Sequence, residues 1–273
     1  MRIKSLAAAF AIPFAHAAAA AASPPPLMAP TGPWNVEFAD KMCLLSRPYG
    51  KDGATQLMLK PDIVGSGMEI IVSNTAASAS SPEIGNAGVT VAGRKLSFDP
   101  IFYAYSTGKA RLVRVAIPDN KIELSALRET LSFDANSEGR YAFSIPGIEL
   151  ARPMLADCLA ELRAAYKISD ADIGKVATRP DGSNVRLFTF DDYPAEALRR
   201  GQSGMVGVLF WVEPNGRVST CEVIESTASP VLEQATCNMV KGRARFKPAR
   251  DAAGRPLRAP SFTRVRWMPW PGY

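Results

Sequence analysis

Histidine is all but missing: the 273-residue chain has one, His16. It lies in a segment expected to be removed on export. A mature chain without histidine can run neither a Ser-His-Asp nor a Cys-His mechanism, and it cannot hold a His-ligated zinc. Only four cysteines are present, none in a Cys-x-x-Cys or other metal-ligand spacing, which argues against a Cys-only metal site. No metal and no cofactor are therefore expected. Charge is missing too along one stretch, since no acid, Lys or Arg occurs from Leu6 to Ala22.

What is present is ordinary for a folded protein. Hydrophobic residues make up 47% and charged residues 21%, a balance that fits neither a disordered nor a polytopic chain. The 32 basic against 26 acidic side chains leave a formal charge of +6. The length suggests two modest domains.

Residues 1–22 have the layout of a secretory signal peptide: Arg2 and Lys4, then the apolar Leu6–Phe14, then Ala15-His16-Ala17 or Ala20-Ala21-Ala22 as a small-residue cleavage pattern. The competing reading is a membrane anchor, for which the run is short and alanine-rich, with Pro13 and His16 inside it. Export to the periplasm is the expectation, with attachment to the periplasmic side of the inner membrane as the alternative. Four cysteines suit an oxidising compartment. Of the three possible pairings, the expected one keeps each bridge inside its own domain, as Cys43–Cys158 and Cys221–Cys237.

The chain is expected to be α+β, divided as follows. Residues 23–33 form a proline-rich spacer. Residues 34–168 form a β-rich domain of unassigned family, with strands at 34–38, 56–59, 68–72, 89–91, 112–117 and 141–145. A loop is expected over Asn74–Asn86. Leu155, Cys158, Leu159, Leu162 and Ala165 share one face of a helix over about 152–166 that closes this domain. Residues 169–185 read as a linker, and 186–273 as a second domain.

That second domain has a legible order of helix, strand, strand, helix, strand. Pro194 opens a short helix that Gly201 ends. Met205–Val212 alternates as a strand, Asn215-Gly216 supplies a hairpin turn, and Arg217–Glu225 returns. Ser229 is placed to cap a helix beginning at Pro230, and Phe262–Met268 reads as the last strand. Helices on one face of a small sheet are the economical packing.

These residues resemble the C-terminal domain of TonB-type energy transducers. The resemblance runs from about Phe190 to Trp267 and rests on several short pieces in order. They are Tyr193-Pro194-x-x-Ala197 followed by Gly201 and Gly204; Val206, Val208, Phe210 and Val212 leading into Asn215-Gly216-x-Val218; Ser226, Leu232 and Ala235; Arg245-Phe246-Lys247-Pro248; and Val265-x-Trp267. The resemblance implies an αββαβ domain that works by contact, taking the extended TonB box of an outer-membrane receptor as an added strand beside its last strand. Carried over by position, the partner-binding residues are Phe262, Thr263, Arg264, Val265, Arg266, Trp267 and Met268, with Tyr193 and Pro194 as secondary candidates. The implied partner is an outer-membrane TonB-dependent receptor or another envelope protein. In the anchored alternative the resemblance adds ExbB–ExbD, although Ile12, not serine, stands one turn before His16.

Three further readings bear on function. Residues 241–266 carry nine positive side chains against Asp251 alone, which suits an anionic envelope partner or a solvated basic face; nucleic acid is not expected outside the cytoplasm. Leu209, Trp211, Phe262 and Met268 fall on the sheet face opposite the helices, where they dock the first domain, dock a partner, or pair with one another on an exposed sheet. Enzyme signals are thin. Ser106-x-x-Lys109 lacks its companion motifs, and the Asp191-Asp192 pair suits helix-start chemistry. The expectation is a non-enzyme interaction module; the alternatives are a membrane-anchored energy transducer and a carboxylate-based envelope hydrolase targeted by the second domain.

Overall fold

The structure is a computed structural model that describes residues 24–39, 42–77, 81–118, 121–182 and 188–269. The expected signal peptide, residues 1–22, lies outside the described residues.

The first unit is a two-sheet sandwich. Its strands, in chain order, are β1 (Leu27–Met28), β2 (Asn35–Ala39), β3 (Met42–Tyr49), β4 (Thr55–Pro61), β5 (Met68–Asn74), β6 (Glu83–Asn86), β7 (Gly88–Val91), β8 (Arg94–Lys95), β9 (Ile101–Thr107), β10 (Ala110–Ile117), β11 (Thr130–Asp134) and β12 (Arg140–Ser144). One sheet runs β2-β3-β4-β5-β10-β9-β6 and the other β1-β12-β11-β7-β8. Alternation turns Leu45, Leu57, Ile70, Val113 and Phe102 of the first inward, against Val89, Leu131, Phe133 and Phe143 of the second, in one continuous apolar cluster. Each such side chain contributes about 1.5–3 kcal/mol by leaving water. Helix α1 (Ile148–Ala165) closes the sandwich, adding Ile148, Ala151, Leu155, Leu159 and Leu162 to the cluster. It starts a turn earlier than the expected 152, because Ile148 and Ala151 extend its apolar face.

Both expected disulfides form. Cys158 of α1 meets Cys43 of β3 with the Cα atoms 5.9 Å apart, and Cys221 meets Cys237 at 5.6 Å. Two boundaries need correction. Residues 24–33 do not stand off as a spacer: Leu27–Met28 pair in parallel with Ala142–Phe143, and the Thr31 N–H donates to the Pro48 carbonyl. Prolines permit such edge pairing where no N–H is required of them. Residues 169–182 are likewise not a bare linker. Helix α2 (Asp170–Gly174) begins with a capping box between Ser169 and Asp172, and Thr178 and Asp181 bridge to Arg250 and Lys247 of the second unit. The expected loop over Asn74–Asn86 also contains β6, which pairs with β9.

The second unit follows the expected order: α3 (Ala195–Arg199), β13 (Gly204–Val212), β14 (Val218–Ser226), α4 (Pro230–Arg243), a small hairpin of β15 (Ala249–Arg250) and β16 (Pro256–Leu257), then β17 (Ala259–Trp267). The sheet order is β14-β13-β17, all antiparallel. Val206, Val208, Phe210 and Val212 face the helices, with Leu232, Ala235, Val240, Val265 and Trp267. Ser229 precedes α4 but does not cap it with its side chain; its hydroxyl bonds Gln202 instead.

The opposite face of this sheet is not wet. Leu209, Trp211 and Ile224 are buried in the same apolar cluster as the core of the first unit, with Phe262 packed against it. The two units therefore share a core across the outer face of the large sheet.

Candidate functional site

The last strand, β17, pairs with β13 from Ala259 opposite Val212 to Trp267 opposite Gly204. Among the described residues no strand pairs with its other side, so it is an edge strand. Short α2 packs near it.

Toward the helices, Val265 and Trp267 are buried. The Trp267 indole N–H donates to the Thr236 hydroxyl at 2.8 Å, and that hydroxyl donates to the Leu232 carbonyl at 2.8 Å. Tyr193 and Phe188 meet the indole edge-on, with centroids 5.2 and 5.8 Å away. The Tyr193 hydroxyl donates to the Gln202 carbonyl, and Pro194 precedes the first turn of α3. Tyr193 and Phe188 thus brace β17 from behind.

Toward the first unit, Arg264 is held in a compact set of charges. It donates to Glu225 of β14, lies 2.9 Å from the Asp62 carboxylate and 3.5 Å from that of Glu69. Lys60 also pairs with Glu225, and Arg114 with Glu69. Three cations and three carboxylates from both units balance at this interface, which removes the uncompensated charge that makes burial costly. Glycine at 207 permits it: a Cβ there would lie 2.2 Å from Cγ of Glu225. Burial alone would raise Glu69, but Arg264, Arg114 and Lys60 outweigh it and hold the carboxyl below its ordinary value. Burial, with Arg264 next, pushes Lys60 down toward about 7, while its contact with Glu225 favours the charged form.

Phe262 lies under Arg264, whose guanidinium is 4.5 Å from the ring centroid, and Arg266 stacks 3.5 Å over the ring of Tyr103 in β9. Thr263 is half-buried, and Met268 is exposed just past the strand. The nine expected residues are therefore brought together, but most of their side chains serve the protein's own packing. What β17 presents outward is main chain.

The basic run is also largely engaged. Arg243 pairs with Asp192, Lys247 with Asp181, Arg255 with Asp251 and Arg258 with Glu213; Arg245 and Arg250 donate to carbonyls of Ala244 and Gly254. Five of its nine cations, Arg264 included, thus have carboxylate partners.

Of the residues behind the weak enzyme signals, Ser106 is the penultimate residue of β9 and Lys109 lies in the turn to β10. Asp192 accepts from the Thr189 N–H at 2.8 Å and from Arg243 at 2.6 Å, rather than serving the Pro194 helix, and Asp191 is exposed. Among the described residues no cluster of three or more Cys, Asp, Glu or His is placed to hold a metal. The residues that sequence reasoning missed are Lys60, Asp62, Glu69, Arg114, Gly207 and Glu225, which no local pattern could have joined.

Residues 191–268 match the family model of the Gram-negative bacterial TonB protein C-terminal. No curated protein matches the chain. The match supports a TonB-like envelope protein-interaction role for the second unit and implies a periplasmic-side location. No helix among the described residues is long and apolar enough to cross a membrane.

Proposed function

We propose that this protein is a periplasmic interaction module that takes an extended, TonB-box-like peptide segment as an added strand along the outer edge of β17. It acts by contact, not by catalysis. The partner is an outer-membrane TonB-dependent receptor or another envelope protein that presents such a segment.

One observation carries the reading: both side-chain faces of β17 are occupied, by the helices on one side and by the first unit on the other, while its outer main chain has no strand partner among the described residues. An edge of this kind gives affinity through main-chain hydrogen bonds to an incoming strand. Trp267, Tyr193, Arg264 and Phe262 fix the strand in place, so little ordering remains to be done on binding.

The test is hydrogen exchange of the whole protein with and without a synthetic peptide carrying a TonB box. Slowed exchange at outward amides within 259–267, with β14 unchanged, is the expected result. Slowing confined to β14, or none at saturating peptide, overturns the reading.

A further inference from the structure

Two cavities of about 540 and 410 Å³ lie between the units and share Arg114, Met205 and Thr227. They differ in chemistry. Arg266, Arg114 and Tyr105 line the first. Leu44, Met58 and Leu112 line the second, opposite Ile224. Two guanidiniums at the first cavity hold buried donors without acceptors: Nε and Nη1 of Arg266, and Nε of Arg114. Among the described residues Arg266 has ring contact with Tyr103 but no hydrogen-bond acceptor. Buried donors normally have partners, and the Arg266 guanidinium, which lines the cavity, has neither an acceptor nor a carboxylate partner among the described residues.

We propose that this cleft binds an anionic amphiphile with a carboxylate head, the head on Arg266 and the alkyl tail running past Arg114, which Glu69 already neutralises, into the adjoining apolar cavity. A carboxylate accepts charge-assisted hydrogen bonds from a guanidinium and neutralises it. Cavities of this size, apolar with a few polar groups at one end, are typical of small-molecule sites. The site lies at the end of β17, on the side chains that face the first unit and not on its outer main chain, and it does not depend on strand addition there.

The test is isothermal titration of the full chain with dodecanoate below its micellar concentration. One saturable site is expected, tightening by up to about fourfold per methylene from octanoate to dodecanoate. Acetate and dodecanol, lacking tail and charge respectively, bind at least about tenfold more weakly. Arg266→Met, which keeps the apolar stem over Tyr103, weakens dodecanoate by at least about tenfold. No saturable binding overturns the proposal, as does equal binding of dodecanol or an affinity untouched by Arg266→Met. Should that variant misfold by circular dichroism, the head-group and chain-length series on the unaltered protein decides alone.

Discussion

Glu225 and Arg264 stand on the two strands that flank β13 and join across it directly over Gly207, which pairs with both of them. The missing side chain at 207 is what lets the carboxylate lie flat enough to reach Arg264 and Lys60 together. Gly207→Ala places a methyl against Glu225, so the glutamate must turn away and leave both cations. The expected loss is about 1–3 kcal/mol of stability, read from urea unfolding of the whole protein. An unchanged midpoint would show that the pair contributes nothing.

Glu69 predicts an acid limit. Its folded pKa lies below the ordinary value of 4.5, so it stabilises the fold fully above that value. Below it the unfolded chain takes up the proton first, and the contribution is lost as pH falls through the depressed folded value. Urea midpoints measured from pH 6 to pH 3 are expected to fall in the lower part of that range. Glu69→Gln should be less stable at pH 6 and should flatten the slope; an identical slope would refute the assignment.

The two disulfides should contribute unequally. Cys43–Cys158 spans 115 residues and Cys221–Cys237 spans 16. On the chain-entropy scale such loops correspond to about 4.7 and about 3 kcal/mol. Paired Cys→Ala replacement of each bridge, compared by urea midpoint, is expected to rank the first as the costlier loss.

Thr236 is the sole acceptor found for the Trp267 indole N–H among the described residues. Thr236→Val keeps the shape and strands a buried donor, at a cost of about 1–3 kcal/mol. Because Trp267 anchors the end of β17, faster amide exchange over 265–267 should accompany that loss. Thr236→Ser, which restores the acceptor, is expected to recover most of it.

The second unit was legible because its signals are local. Val206 to Val212 alternate, Asn215-Gly216 turns, and Pro230 marks a helix start, each within a few residues. Even the docking of Leu209 and Trp211 could be anticipated from an apolar second face. The first unit hid more. In β3, Cys43, Leu44, Leu45 and Ser46 are all buried, so the period of two disappears. In β9 the outward residues are Tyr103 and Tyr105, which do not read as polar. The charge cluster was out of reach altogether: Asp62 and Arg264 are 202 residues apart in sequence, and only the stacking of the units makes them neighbours.

The ionic fork on Arg264 also defines a load path. It fastens β17 to Glu225 in its own sheet and, in the same side chain, to Glu69 of the large sheet and to Asp62 just past β4. A pull on a strand lying along β17 would therefore not be borne by three strands alone. It would pass through Arg264, and through Lys60 on Glu225, into seven, whose β3 is riveted to α1 by Cys43–Cys158. Traction at the edge is spread over the whole molecule, and the small sheet should peel away only after this clamp has let go.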